Sequence, residues 1–321
     1  MKWIAALPGC LALAAGALTF MHHVLGMRLP PVLEPHSGFE YRLKPGQDTR
    51  RFDQHVFVNS HGMRSPEFPA VKASSGELRV MVFGDSVVCG VGFSSHERLA
   101  TTIVAERLAR RLGRPVVVGN VAAGSWGPGN WLAWAQEVGF FEADVVVLVA
   151  SANDAADVRD FPQMHPAPRP YPPVLVPLVE FVAQQRLRWL SAEPVPAPVA
   201  ARPEALSELR SFLSLAQRAV GRVRVVLYPQ VEELAGPMLA QRAALLASSR
   251  AAGVEPSLPD PRYRRHLESG AHLYHDTVHP TDAGQLLLAE VIEREVMAAV
   301  GGTPAAGSLS VAHGASSPAS P

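Results

Sequence analysis

A hydroxyl, an imidazole and a carboxylate stand in two short segments about 190 residues apart. The first is Gly84-Asp85-Ser86, directly after the apolar run Leu78 to Phe83. The second is Asp276-Thr277-Val278-His279-Pro280, just ahead of an apolar helical stretch near the C-terminus. A serine hydroxyl is a weak nucleophile at neutral pH; it needs an adjacent base and donors for the oxyanion that forms. An Asp and a His three apart share a face of one helical turn or tight loop. The carboxylate can then hold one ring nitrogen while the other faces Ser86. Gly84 and Gly90 give the serine turn its freedom, and a strand-to-helix turn aims backbone N–H groups at incoming negative charge. These residue types support hydrolysis or transfer of an acyl group. Either segment alone is a common turn; their conjunction carries the reading. Asp85 itself reads as a turn-stabilising carboxylate.

The elements that must position these groups follow from the hydrophobic pattern. Leu78–Phe83, Val116–Val118, Val145–Ala150 and Val223–Leu227 read as short buried strands, with Arg79 the only charge in the first. Between them the spacing predicts helices over Glu97–Leu112, Asn130–Phe141 and Glu232–Ala252, the last interrupted near Gly236-Pro237. A helix over Ala283–Val300 closes the pattern. Strands alternating with helices imply an α/β domain with a mainly parallel sheet and right-handed crossovers. Ligands of such sheets sit beyond the carboxyl ends of the strands, and both Ser86 and Asn153 follow such ends.

Taken in order, Gly84-Asp85-Ser86, Asn120-Val121-Ala122-Ala123-Gly124-Ser125-Trp126-Gly127, Ser151-Ala152-Asn153-Asp154 and Asp276-Thr277-Val278-His279 resemble the four blocks of the SGNH (GDSL) hydrolase family. The resemblance covers about residues 78–160 and 222–300. It implies a three-layer α/β/α, flavodoxin-like fold. It also implies a serine esterase with Ser86 as nucleophile, His279 as base and Asp276 as orienting acid. The oxyanion donors it implies are the Ser86 N–H, the Asn153 side-chain amide and a backbone N–H at Gly124, with Ser125 as the alternative. No cofactor and no metal are implied, and His272 and His275 beside the last block need no metal to explain them. His96 reads as a surface residue, Trp126, Trp131 and Trp134 as core, Cys89 as a small buried filler, and Asp154 and Asp157 as solvated or capping residues.

The charges cancel, 29 basic against 29 acidic, without blocks of one sign. Nothing in the charge pattern points to nucleic acid as the main partner; the substrate that the family resemblance implies is a small-molecule or glycan ester. Trp3 to Met21 carries no charge over 19 residues, with Lys2 before it and Arg28 after it. It reads as a membrane anchor or a cleaved signal within residues 1–27, which would put the catalytic domain outside the cytoplasm, in the periplasm if the source is bacterial. Residues 28–76 read as an irregular lead-in and 77–300 as the hydrolase-like domain. The insert 161–203 holds 11 prolines, with one short helix over Leu178–Leu190, and 301–321 reads as a disordered tail. An O-acyltransferase acting on envelope polysaccharide through the same groups, and an inactive envelope scaffold, are the alternatives.

Overall fold

The computed structural model describes residues 16–17, 20, 33–51, 54–90, 93–159 and 199–301. Nearly all of the expected anchor at 1–27, residues 161–198 of the insert with its short helix, and the tail from 302 lie outside them. Among the described residues no helix is long and apolar enough to cross a membrane.

The segment 28–76, expected to be irregular, instead contains four short strands in two antiparallel hairpins. Strand β1 (Leu33–His36) pairs with β2 (Glu40–Leu43), and β3 (Gln47–Arg51) with β4 (Gln54–Val58). Strands of four or five residues leave too little alternation to be seen in sequence. Next come β5 (Leu78–Gly84) and a single helical turn, α1 (Ser86–Cys89). A 3-10 turn (His96–Arg98), α2 (Ala100–Leu112), β6 (Val116–Ala122), α3 (Pro128–Glu137) and β7 (Val145–Ala150) follow. A second 3-10 turn (Ala152–Ala155) ends this half. The remaining elements are α4 (Pro203–Val220), β8 (Val223–Leu227), α5 (Val231–Ala235), α6 (Ala240–Ala251), α7 (Asp260–Glu268) and α8 (Asp282–Gly301). Pro203, read as the end of the insert, is the first residue of α4, where its missing N–H has no cost.

The central sheet is parallel throughout, in the order β6-β5-β7-β8. Alternation along β5 splits the core into two. Val80 and Val82 face a cluster shared with Val104 and Leu108 of α2 and Leu288 and Ile292 of α8. Met81 and Phe83 face the other, with Trp131 and Trp134 of α3, Phe212 of α4 and Leu245 of α6. Helices therefore cover both faces, which is why β5 and β7 are buried end to end and read as unbroken apolar runs. Each such side chain withdrawn from water contributes roughly 1.5–3 kcal/mol. The charge within β5 is accommodated: Arg79 pairs with Glu77 at 2.7 Å and donates to the carbonyls of Pro69, Ala70 and Phe141 at 2.9–3.0 Å.

One helix start is set by a tertiary contact. The helix expected from Glu97 begins at Ala100, whose N–H donates to Gln285 Oε1 at 2.9 Å. Gln285 Nε2 also donates to the Val87 carbonyl at 3.0 Å, so one buried amide of α8 braces both α1 and α2. His96 is buried, against the surface position expected of it; its ring meets Phe57 edge-on, and burial, then the nearby Arg64 charge, pushes its pKa down to about 4.

Candidate active site

Three adjacent strands of the sheet, β6, β5 and β7, end side by side. The loops leaving them carry Gly124 and Ser125, Ser86, and Asn153 respectively. The serine turn is tight because its glycines let it be. A Cβ on Gly84 would lie 2.4 Å from Val88 Cγ2, and Gly90 closes α1 with φ 68°. The Trp131 indole donates to the Gly84 carbonyl at 2.9 Å, and Asp85 Oδ1 accepts the Val87 N–H at 2.8 Å. Asp85 is thus a cap, as its place in the turn suggests. Cys89 is buried within the same turn. All three indoles singled out in the sequence are buried.

The second segment arrives on the loop between α7 and α8. Backbone bonds from His275 N to the His279 carbonyl (2.8 Å) and from Thr281 N to the Leu273 carbonyl (2.9 Å) close it, and Thr281 Oγ1 accepts the Gly284 N–H at the start of α8. Asp276 Oδ1 accepts the N–H groups of Val278 and His279 at 2.9 and 2.8 Å. Its other oxygen lies 2.7 Å from His279 Nδ1. His279 Nε2 in turn lies 2.9 Å from Ser86 Oγ. Burial alone would raise the Asp276 carboxyl, but the two backbone N–H donors and the ring outweigh it and hold it below the usual carboxylate range. The residue therefore stays ionised against the imidazole at neutral pH.

Ser86, His279, Gly124, Ser125 and Asn153 all line one cleft of about 370 Å3, with Phe93 and Val278 as its apolar walls. The Phe93 ring sits 5.2 Å from that of His279 and is 44% exposed. Asn153 Oδ1 accepts from Gln230 Nε2 at 3.0 Å, which leaves the Asn153 NH2 to turn elsewhere. Gln230 is buried at the start of α5, where its N–H is held by Glu233. Ser125 has φ 57°, a left-handed conformation uncommon for a side-chain-bearing residue. The Tyr41 hydroxyl donates to the Gly124 carbonyl. Neither Gln230 nor Tyr41 was signalled by the sequence, because polar residues in loops show no period and touch the site only through the fold.

A carboxylate cluster underlies the cleft. Asp154 Oδ2 accepts the Ser151 N–H at 2.6 Å, the capping role open to it in the sequence. Burial, then the neighbouring Asp85, raises its carboxyl well above the ordinary range. Burial pushes Asp85 up to about 6, against the Val87 N–H and the charge of His279. Asp157 packs its Cβ where a side chain on Gly127 would go. It is pushed up to about 7 by burial, then by Glu40 and Asp85. Among the described residues no group of three or more His, Cys, Asp or Glu is placed to hold a metal ion.

A hydroxyl, an imidazole and an ionised carboxylate bonded in series at the carboxyl edge of a parallel sheet define the arrangement of a serine hydrolase. The chain belongs to the GDSL-like lipase/acylhydrolase family, whose model matches residues 82–287. It is accordingly an enzyme of the ester-bond hydrolase class on a three-layer α/β/α fold. Among curated proteins none matches the chain. Solved structures that resemble it include a two-domain esterase (CEX) active on acetylated mannans, with a TM-score of 0.49, 13% identity, and 74% of this chain and 54% of that one covered. The chain thus spans about half the length of that protein. Axe2, an acetylxylan esterase from Geobacillus stearothermophilus, has a TM-score of 0.46 and 17% identity over 68% of this chain and 94% of its own. A member of the lipolytic G-D-S-L family from Veillonella parvula has a TM-score of 0.43 and 15% identity over 66% of this chain and 94% of its own.

Proposed function

We propose that the chain is a serine esterase that cleaves carboxylic (O-acyl) esters through an acyl-enzyme on Ser86. The observation that carries this reading is the unbroken series from Ser86 Oγ through His279 to Asp276, open to a cleft. In the first step His279 Nε2 takes the Ser86 proton as Oγ attacks the ester carbonyl. The carbonyl oxygen becomes an oxyanion held by the Ser86 N–H, a backbone N–H of the Gly124–Ser125 loop and the Asn153 NH2. Collapse breaks the bond to the alkoxy group, which leaves with the proton from His279. Water then attacks the acyl carbon, giving its proton to His279. The acid departs as Oγ recovers that proton.

The cleft favours a short acyl group. Two apolar side chains, Phe93 and Val278, line it among the described residues, and each buried CH2 of a longer chain gains only about 0.8 kcal/mol where apolar surface exists to meet it. A small or glycan ester bearing a short acyl group is the proposed substrate class. The uncharged run Trp3–Met21 supports a location outside the cytoplasm, as an anchored or secreted domain.

The test is labelling with a fluorophosphonate, together with turnover of aryl esters of increasing acyl length. Wild type should label and Ser86→Ala should not, and the acetyl or propionyl ester should be preferred. Turnover by purified, folded Ser86→Ala protein at a rate near wild type would overturn the reading.

A further inference from the structure

We infer that Tyr41, on the N-terminal hairpin and outside the family-matched segment, is a positioning residue that fixes the Gly124–Ser125 peptide so that the Ser125 N–H serves as the oxyanion donor of that loop. This rests on the esterase reading above. The argument begins with the peptide unit. The Gly124 carbonyl and the Ser125 N–H belong to one planar trans amide, so they point in opposite directions. The Tyr41 hydroxyl donates to that carbonyl. Tyr41 is buried and stands outside the cleft lining, whereas Ser125 is part of it. With the carbonyl drawn towards Tyr41, the N–H of the same peptide is turned away from the hairpin. The Gly124 N–H belongs to the preceding peptide and receives no such constraint.

Two further observations make the contact a built one. The hairpin is fastened across the loop at several points. The Trp126 indole donates to the Tyr41 carbonyl at 3.0 Å, and Asn130 Nδ2 donates to the Phe39 carbonyl and to Glu40 Oε2 at 3.0 and 2.7 Å. The junction also carries conformational strain. Among the described residues, four other than glycine have positive φ, and two of them, Glu40 and Ser125, meet here. Left-handed backbone in such residues is strained and persists where surrounding contacts over-determine it. Those contacts are the hairpin. A residue about 45 positions upstream of the nucleophile thereby acts on the transition state through one carbonyl.

The experiment is Tyr41→Phe in the full chain, with Asn153→Ala beside it. Turnover is expressed per active site titrated with a fluorophosphonate, so that unfolded protein does not count. The expected result is a kcat about tenfold lower or more, below the 10²–10³-fold loss of a deleted donor. KM should stay close to wild type, because the contact matters in the transition state. Affinity for an aryl boronate, whose serine adduct carries a tetrahedral oxyanion mimic, should fall by a similar factor. A purely structural tyrosine would instead lower the melting temperature and leave kcat per titrated site and boronate affinity unchanged. That outcome, with Asn153→Ala strongly impaired, would overturn the role of Tyr41 alone. Full activity in both variants would overturn the oxyanion site itself.

Discussion

Replacing Asp276 by Asn tests whether the carboxylate acts by charge and by ring orientation, as its contacts imply. The substitution keeps the shape of the side chain. Oδ1 accepts two backbone N–H groups, from Val278 and His279, so the replacement oxygen is committed to that side. Flipping the amide would set NH2 against two N–H donors, at about 1–3 kcal/mol for each donor left unmet. The new NH2 must therefore face His279 Nδ1, which can only accept. That fixes the ring in the tautomer with its proton on Nε2, the atom 2.9 Å from Ser86 Oγ, and a protonated Nε2 cannot take the serine proton. The charge effect adds to this. A carboxylate and an imidazolium with centres about 4 Å apart attract by about 1 kcal/mol in bulk water and about 4 kcal/mol at an effective dielectric of 20. The Asp276 side chain is 47% exposed, so its value falls between these limits, worth roughly fivefold to a thousandfold in rate. With the tautomer effect included, kcat for a short aryl ester should fall about 10³–10⁴-fold. Asp276→Ala is the comparator. It loosens the 276–279 turn but leaves the tautomer free, so it should melt lower than Asp276→Asn while being at least as active. Activity of Asp276→Asn within tenfold of wild type, or clearly above that of Asp276→Ala, would refute the reasoning.

Other consequences are as direct. Asn153→Ala should lower kcat by about 10²–10³ with little change in melting temperature, since it deletes one donor of the proposed oxyanion site from an exposed position. Arg242→Met should cost about 3–5 kcal/mol in denaturant unfolding, because it strands the Asp260 carboxylate and the buried Glu233 that the fully buried guanidinium now meets at 2.6 and 3.7 Å; a loss under 1 kcal/mol would contradict this. Asp157 holds its proton in the folded state up to about pH 7, against an ordinary value of 3.8. Its contribution to stability is complete below that ordinary value and disappears as pH rises through about 7. The melting temperature of Asp157→Asn, measured against wild type, should therefore rise from pH 5 to pH 8, and a flat difference would falsify the account.

The parts of this site that could be read in sequence are those tied to a regular element. Ser86 and Asn153 follow β5 and β7, whose burial on both faces leaves unbroken apolar runs. Asp276 and His279 are close in the chain and announce one another by spacing. Strand β6 was read only as far as Val118, because Gly119 and Asn120 interrupt its apolar run; Asn120 is nonetheless buried, donating to the Val88 carbonyl and to Thr101 Oγ1. The helix at 130–141 begins earlier, at Pro128, and gives way after Glu137 to a turn where Phe141 and Glu142 have positive φ. Tyr41 and Gln230 were beyond sequence reasoning because their partners lie 83 and 77 residues away, and nothing local selects them.

The amide of Gln285 links the two halves of the chemistry. It stands six residues beyond His279 and grips both the helical turn that opens with Ser86 and the helix that follows it. Chain segments separated by 193 positions are thereby pinned by one side chain that water does not reach. Fraying of the C-terminal helix would withdraw the imidazole and unseat the hydroxyl together. Loss of activity on heating should therefore coincide with loss of this brace, read as a common midpoint for turnover and for unfolding of the C-terminal helix.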